Sequence, residues 1–487
     1  MYLQGKTGEW ECVIGLEVHA QISSNSKLFS SSSTKFGSHP NENVSIIDAS
    51  MPGMLPVLNK YCVEQAVKTG LALNSTIHKI SIFDRKHYFY PDLPQGYQIS
   101  QFYHPIVTDG YIDISAENGQ DKRITINRIH IEQDAGKSIH DKLDKYTCID
   151  LNRSGIALME IVSNPDLSTA EEVSYYLKKL RSILRYIGSS DGDMEKGSMR
   201  CDANVSVRRP GDKLGVRCEI KNLNSIRNTT IAIEYESKRQ IEMLENGEEI
   251  QQETRLFNSD TGETKAMRSK EDAVDYRYFA DPDLLPVILT DEYIQNIAGQ
   301  IPELPDQKIN RYIKEGLSQY DANVLASDQK VAMYFDEVVQ KGASNKISAN
   351  WILTELFGAI KKHNISFDES EEKIPAKNLS DLIQMIEKET ISGKIAKTVF
   401  EDMFINGTSP QEIIKTRNLV QLSNKDELSD IIENILNNNE SSVVDYHNGK
   451  TKLIGFFVGA VMKETKGTAN PKIVNDILID KLNKYKK

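Results

Sequence analysis

Cysteine is scarce. Five residues, Cys12, Cys62, Cys148, Cys201 and Cys218, are scattered through 487 positions with no C-x-x-C pair, which argues against a disulfide framework or a cysteine-rich zinc site. Long apolar runs are missing too. No stretch reaches the roughly 18 residues that a membrane helix needs, hydrophobic residues make up 39% of the chain and mean hydropathy is −0.45, so a helical membrane protein is excluded. The N-terminus, MYLQGKTGEWECVIGLEVH, has neither a basic segment leading into an apolar one nor Arg-rich amphipathic character. It reads as the start of a mature cytoplasmic protein of bacterial type.

Positive charge is the minority sign, with 59 Lys and Arg against 70 Asp and Glu and a formal net charge of −11. That excludes wholesale coating of nucleic acid but leaves room for a local basic patch. The familiar nucleotide loops are absent as well. No G-x-G-x-x-G, G-x-S-x-G or H-E-x-x-H occurs, and DAGKS at 134–138 fails as a phosphate loop because Ile131 stands where the motif needs glycine. Any nucleotide site must then be built on sheet faces.

At roughly 100 to 200 residues per domain, the length corresponds to two to four domains. Up to about residue 290, short alternating segments punctuated by Gly, Pro and Asn predict a sheet-rich domain with a few helices. Two helices are predicted there: Ser168 to Gly188, opened by a capping box of Ser168 with Glu171, and about Ser225 to Gly247. Beyond it, Pro305 suits a first helical turn, and Tyr312, Ile313, Leu317, Val331, Tyr334, Phe335 and Val338 recur at helical spacing. The acidic stretch 363–378 reads as an exposed loop, and a turn within 405–412 marks a second boundary. The expected fold class is α+β, divided into 1–292, 293–408 and 409–487. Residues 450–487 carry nine lysines and three acids, a local balance of +6. Either a solvated helical face with a frayed basic end or contacts to a phosphate backbone would account for it.

Strand parity brings out candidate chemistry. In ECVIGLEVHAQI, alternation buries Cys12, Ile14, Leu16 and Val18 and presents Glu17 and His19 together on the other face. In RITINRIHIEQDAG it places Arg128, His130 and Glu132 on one face and Ile129 and Ile131 on the other. A carboxylate and an imidazole two residues apart can share a divalent ion, although polar-faced strands are common in antiparallel sheets. MRCDANVSVRR and LGVRCEIKN read as a hairpin around Pro210-Gly211-Asp212, with Met199, Cys201, Ala203 and Val205 inward. Its outward face carries Arg200, Asp202, Asn204, Arg208, Arg217, Glu219 and Lys221. Oxygen ligands beside cationic groups suit Mg2+ with a polyphosphate, and an exposed hairpin laced with ion pairs has the same composition. The segment 83–105 interleaves Arg85, Lys86 and His87 with Tyr88, Phe89, Tyr90, Tyr97, Phe102 and Tyr103. Single-stranded RNA ends require that mix, and a strand of core aromatics displays it too.

The stretches IGLEVHAQ, MPGMLPVLN, RKHYFYPDLPQGYQISQ, IHIEQDAGKSIHD, DLNRSGIALMEIVSNPDL, GSMRCDANVSVR, EIKNLNSIR, TKAMRSKEDAVDYRYFADPDL and VGAVMKETKGTANP together resemble the B subunits of the glutamyl/aspartyl-tRNA amidotransferases. The resemblance runs through nearly the whole chain. It implies a ligase of three proteins, in which an amidase A subunit with a Ser-Ser-Lys site releases ammonia from glutamine and a small C subunit supports the assembly. The B subunit would phosphorylate the side-chain carboxylate of misacylated Glu-tRNA(Gln) or Asp-tRNA(Asn) with ATP and Mg2+, and ammonia would displace the phosphate. It further implies a cradle domain over 1–292, a helical domain over 293–408 and a YqeY-like tail over 409–487, the last two gripping tRNA.

Carried onto matching positions, the family's metal and kinase site falls on Glu17, His19 and Glu132. Asp202 and Glu219 are expected as further metal contacts, and Arg200, Arg217 and Lys221 as phosphate contacts. Arg85, Lys86, Tyr88, Lys463, Lys466 and Lys472 are expected to meet RNA. Three positions depart from the family pattern. Ser30, Ser32, Ser45 and Asp48 stand where many members carry zinc-binding cysteines, so no zinc is expected and packing is expected to hold that loop. Gln133 stands where a second acid often follows Glu132, and Gln95 where lysine is frequent. Two other readings compete: a stand-alone ATP-dependent carboxylate-amine ligase acting on a small acid, and a non-catalytic RNA-binding scaffold. The long helical half with its basic end weighs against the first. Concentrated carboxylates, which repel RNA, weigh against the second.

Overall fold

A computed structural model describes residues 2–115, 121–269, 275–417, 419, 425–465 and 469–484. The chain divides into two compact units, residues 1–305 and 306–487. Among the described residues no helix is long and apolar enough to cross a membrane.

The first unit is organised by a ten-stranded mixed sheet. Its principal strands are β1 (Gly8–Gln21), β2 (Val107–Ser115), β3 (Asp121–Gln133), β4 (Ala157–Ser163), β5 (Met199–Arg208), β6 (Cys218–Leu223), β7 (Glu253–Asn258) and β8 (Glu263–Ser269). In space they run β8-β7-β6-β5-β1-β4-β3-β2. Neighbours are antiparallel except β6 and β7, which are parallel. A parallel pair needs a crossover, and the helix Ile226–Glu245 lies between those two strands in the chain.

Three helices, α1 (Lys60–Ala72), α2 (Ala170–Tyr186) and α3 (Ile226–Glu245), share one core with the sheet. The strands supply Ile14, Leu16, Val18, Ile129, Ile161 and Val205, and the helices Val67, Leu177, Leu180 and Ile233. Each such side chain contributes about 1.5–3 kcal/mol on burial, which leaves the opposite face of the central strands free to carry polar groups. Along β3 the core residues step Ile124, Ile126, Ile129, Ile131 instead of alternating strictly. The ladder with β4 shifts register between Val162 and Ser163, and the shift turns Arg128, His130 and Glu132 to the polar face although Ile124 and Ile126, of the same parity, point into the core.

Helix starts follow the expected chemistry with two corrections. The cap of α2 is Thr169, not Ser168: its hydroxyl accepts from Glu172 N at 3.0 Å, while the Glu172 carboxylate accepts from Ser168 N at 2.7 Å. The cap therefore lies one residue later than the spacing predicts, and the Glu172 carboxylate reaches back past it to Ser168 N instead of closing a reciprocal box. The stretch 363–378 is not a plain loop. Ser366 and Glu369 form a capping box that opens the helix Phe367–Lys373, and Pro375 caps the next, Ala376–Glu387. The acidic composition there belongs to helix surface, with Ser370 and Ile374 buried.

In the second unit every described regular element is helical. One core gathers Tyr334, Phe335, Trp351, Leu379 and Phe400, and a separate one gathers Leu428, Ile432, Phe457, Val461 and Leu478. The chain turns at Gly407, with φ +67° after the helix Gly393–Asn406, and Pro410 begins the following helix. Ile297 packs in the first unit's core, and Ile413 and Ile414 pack in the first helical core. Those packing edges lie several residues past 292 and 408.

The loop carrying Ser30, Ser32, Ser45 and Asp48 is held by charge as well as by packing. Lys27 has no exposed surface, and its Nζ lies 3.2 Å from Asp48 Oδ2 and donates to Leu151 O at 3.2 Å. Ser30 Oγ donates to Asp48 Oδ1 at 2.9 Å and Ser45 N to Oδ2 at 2.8 Å. Burial pulls the Lys27 ammonium below its usual range, against the opposing pull of Asp48. Removing one member of such a pair strands the other charge, so Asp48→Ala is expected to cost about 3–5 kcal/mol in urea unfolding. The double variant Lys27→Met/Asp48→Leu is expected to recover most of that loss; equal destabilisation in both would show that the pairing is not what matters.

Candidate active site and metal centre

The polar face of the sheet gathers its groups by register. Glu160 of β4 lies directly opposite His19 of β1 on one side and His130 of β3 on the other, and Glu132 follows His130 by two residues on the same face. Glu160 Oε2 is 3.4 Å from His19 Nε2 and 3.1 Å from His130 Nε2. Glu132 reaches the same two imidazoles, Oε1 to His19 Nε2 at 3.5 Å and Oε2 to His130 Nε2 at 3.5 Å. The four side chains close a ring of alternating base and acid. His130, Glu132 and Glu160 are buried, and Ser100 Oγ donates to Glu132 Oε2 at 3.3 Å.

Each charge in the ring is set by its neighbours. Burial opposes protonation of His130, but Glu160 and Glu132 outweigh it and push the imidazole up to about 9. His19 is raised for the same reason. Glu160 is held well below the usual carboxylate range, burial being overcome by His130 and His19, and Glu132 is lowered by its bond to His130 against burial. Each acid of the ring thus favours the protonated form of the imidazoles beside it, and each imidazole the ionised form of its acids. His19, Glu132 and Glu160 also offer one nitrogen and two oxygen donors lying within 4.8 Å of one another. That donor set fits one divalent ion, which would take the place of the imidazole proton.

Beside the ring, Glu17 faces Asp202 across the β1–β5 ladder and accepts from Asn204 Nδ2 at 2.9 Å. Burial, with the negative charge of Glu160 and Glu219, raises the Glu17 carboxyl above its usual range. Lys221 Nζ bridges Asp202 Oδ2 at 2.8 Å and Glu219 Oε1 at 2.7 Å, and Thr254 Oγ1 donates to Glu219 Oε2 at 3.1 Å. A cavity of about 530 Å3 is lined by Glu17, His19, Glu160, Asp202, Arg217, Glu219 and Lys221. Large and mostly polar, it offers acids for a cation and basic groups for phosphate.

The expected residues divide on inspection. Glu17, His19, Asp202, Arg217, Glu219 and Lys221 line one cavity, with Glu132 tied to it through His19. Arg200 does not line it; its Nη2 donates to Asp134 Oδ2 at 2.5 Å. Arg85 is engaged by Asp281 at 2.9 Å and Asp283 at 2.8 Å and lies over the Tyr97 ring. Tyr88 donates to Gln98 Oε1 at 3.4 Å, while Lys86 lines the cavity beside Tyr276 and Tyr278. Lys463 and Lys472 are exposed on helices of the second unit; Lys466 lies outside the described residues. Sequence reasoning missed Glu160 as a member of the ring. Its signal was there, a single acid within the apolar strand ALMEIVS.

A sheet domain with this polar face is the class described as the GatB/GatE catalytic domain, whose profile matches residues 12–295; the profile of the GatB domain matches residues 333–482. The chain belongs to this family. Among its relatives, the B subunit of the aspartyl/glutamyl-tRNA(Asn/Gln) amidotransferase of Rickettsia felis is 59% identical over 482 residues, 99% of either chain. The corresponding protein of Rickettsia prowazekii, which bears the same name, is 60% identical over 482 residues, again 99% of either chain.

Loss of a ring carboxylate should be visible without any turnover. Glu160→Ala and Glu132→Ala are each expected to weaken Mg2+ or Mn2+ binding at least about tenfold by titration calorimetry. Unchanged affinity in both would move the ion out of the ring.

Proposed function

We propose that this chain is the B-type component of an aspartyl/glutamyl-tRNA(Asn/Gln) amidotransferase, and that its cavity activates the side-chain carboxylate of a misacylated tRNA with ATP. The observation that carries the reading is the ring of His19, Glu132, His130 and Glu160 set beside Glu17 and the Lys221 cluster in one cavity. Full-length similarity to proteins of that name supports it.

In the proposed reaction a side-chain carboxylate oxygen takes the γ-phosphoryl group of ATP, giving an acyl phosphate and ADP. Ammonia then adds at the acyl carbon, phosphate leaves with the electron pair of the broken carbon–oxygen bond, and the nitrogen loses a proton to give the amide. His19, Glu132 and Glu160 would hold Mg2+, with Glu17 and Asp202 alongside. When bound, that ion neutralises phosphate charge and aligns the phosphoryl group. Lys221 and Arg217 meet the phosphates, offsetting the repulsion between two anions. Lys221 is well suited to this, because Asp202 and Glu219 raise its affinity for the proton above the ordinary lysine range despite burial.

The reaction calls for an ammonia source, which we assign to a glutaminase A subunit; the resemblance to the B subunits adds a small C subunit and a cytoplasmic heterotrimer acting on tRNA to the proposal. We assign the cradle to 1–292, the helical domain to 293–408 and the tail to 409–487, with packing edges a few residues beyond each bound, and Lys463 and Lys472 as exposed tRNA contacts. No structural zinc is proposed, because Asp48 is already engaged by Lys27 and Ser30. Elemental analysis of the purified protein is expected to show less than about a tenth of an equivalent of zinc after mild dialysis; a stoichiometric amount would refute it.

The test is phosphate release from ATP by the protein assembled with its partners, with ammonium chloride as nitrogen donor and Glu-tRNA(Gln) or Asp-tRNA(Asn) present or absent. Turnover is expected only with a misacylated tRNA and Mg2+. Glu17→Ala is expected to lower it at least about a hundredfold with tRNA binding retained. Turnover without tRNA would favour the small-acid ligase, and tRNA binding with no ATP turnover would favour the scaffold.

A further inference from the structure

The cavity holds cations of two kinds. Lys221 is compensated in place by Asp202 and Glu219. Arg128 is not: among the described residues its side chain has no ion-pair or hydrogen-bond partner, and its Nε is shut off from solvent with no acceptor. It lies over an aromatic face instead, the guanidinium carbon 5.6 Å from the centre of the Phe102 ring. Phe102 in turn lies face to face on Tyr278, 4.1 Å between centres and 12° between planes. Lys86 lines the same cavity, 4.9 Å from the centre of the Tyr276 ring, with Glu132 and Glu160 favouring its charge.

Sheet register fixes where these cations stand. Val162 of β4 pairs with Glu17 on one side and Arg128 on the other, so Arg128 flanks the ring on the β3 side while Lys221 sits on the β6 side. Two anions must meet in the proposed reaction, a polyphosphate and an acceptor carboxylate. Lys221 and Arg217 belong with the first, among groups that suit a metal-bound phosphate. A buried donor with no acceptor is costly, and a planar guanidinium matches a carboxylate in a two-point fork.

We infer that Arg128, with Lys86 lining the same cavity, receives the side-chain carboxylate of the aminoacyl group. The assignment rests on the amidotransferase reading above and adds a specificity-determining contact to it. Amidation removes the charge that the fork recognises, so the same contact distinguishes the acid substrate from the amide product and lets the product go.

The test measures binding of the complete complex, with its partner subunits, to the aminoacyl-tRNA it amidates and to the amidated product on the same tRNA. The wild-type complex is expected to bind the acid form about tenfold tighter or more. Arg128→Gln is expected to bring that ratio to about one while affinity for the amide form stays within about twofold, and Arg128→Lys to restore part of it. A wild-type ratio near one, a ratio unchanged in Arg128→Gln, or equal loss of both forms would overturn the assignment, the last by marking a structural role. If Arg128→Gln fails to fold, Arg128→Lys still decides, since a full wild-type ratio there excludes the fork. A wild-type complex that amidates neither tRNA would bring down the amidotransferase reading, whereas amidation with an unaltered ratio in Arg128→Gln would bring down this assignment alone.

Discussion

Glu160 faces an imidazole on either side, His19 across one ladder and His130 across the other, and the polar layer of the first unit depends on that alternation. An isolated carboxylate at this depth would be driven to its neutral form, and two acids side by side would repel. With signs alternating around four side chains, the cost of burial is offset within the ring. The arrangement holds in only one register. A slip of one residue in β1, β3 or β4 would turn the ring toward the helices and the isoleucines toward the cavity. Strand pairing and site electrostatics are therefore one constraint, and the core on the other face, packed against three helices, supplies the stability that sustains it.

Around the ring, the neighbour of each cation decides what that cation is free to do. Arg85 and Arg200 are consumed by carboxylates that fix loops and strand ends. Lys221 is shared between two acids and stays charged through them. Arg128 rests on an aromatic ring, which locates a positive charge without neutralising it, and Lys86 combines such a ring with the field of Glu132 and Glu160. A cavity supplied with both kinds can take up a metal-bound phosphate on one side and a bare anion on the other. The buried Lys27–Asp48 pair applies the first kind of logic to structure alone, closing a loop with charge and two hydroxyl-bearing residues.

Much of this was legible in the chain. Alternation placed Glu17 with His19, and Arg128 with His130 and Glu132, on polar faces, and it named the inward side of the β5–β6 hairpin. Cap chemistry located α2 within one residue, and the span read as about Ser225 to Gly247 holds α3, whose cap in the structure is Ser225. The errors have physical causes. Two hydroxyls in succession, Ser168 and Thr169, left the cap ambiguous, and the charges of 363–378 concealed a capping box that tertiary burial of Ser370 and Ile374 makes worthwhile.

The sequence by itself determined which residues share a face and where helices begin, because side-chain direction follows from backbone period and caps are made by near neighbours. Only the tertiary structure decided which charges meet. Glu160 completes the ring, Asp134 draws Arg200 out of the cavity, and Asp281 with Asp283 occupies Arg85. Those partners are remote in the chain, and electrostatic pairing depends on separation through space, which strand order and register set and local pattern does not carry.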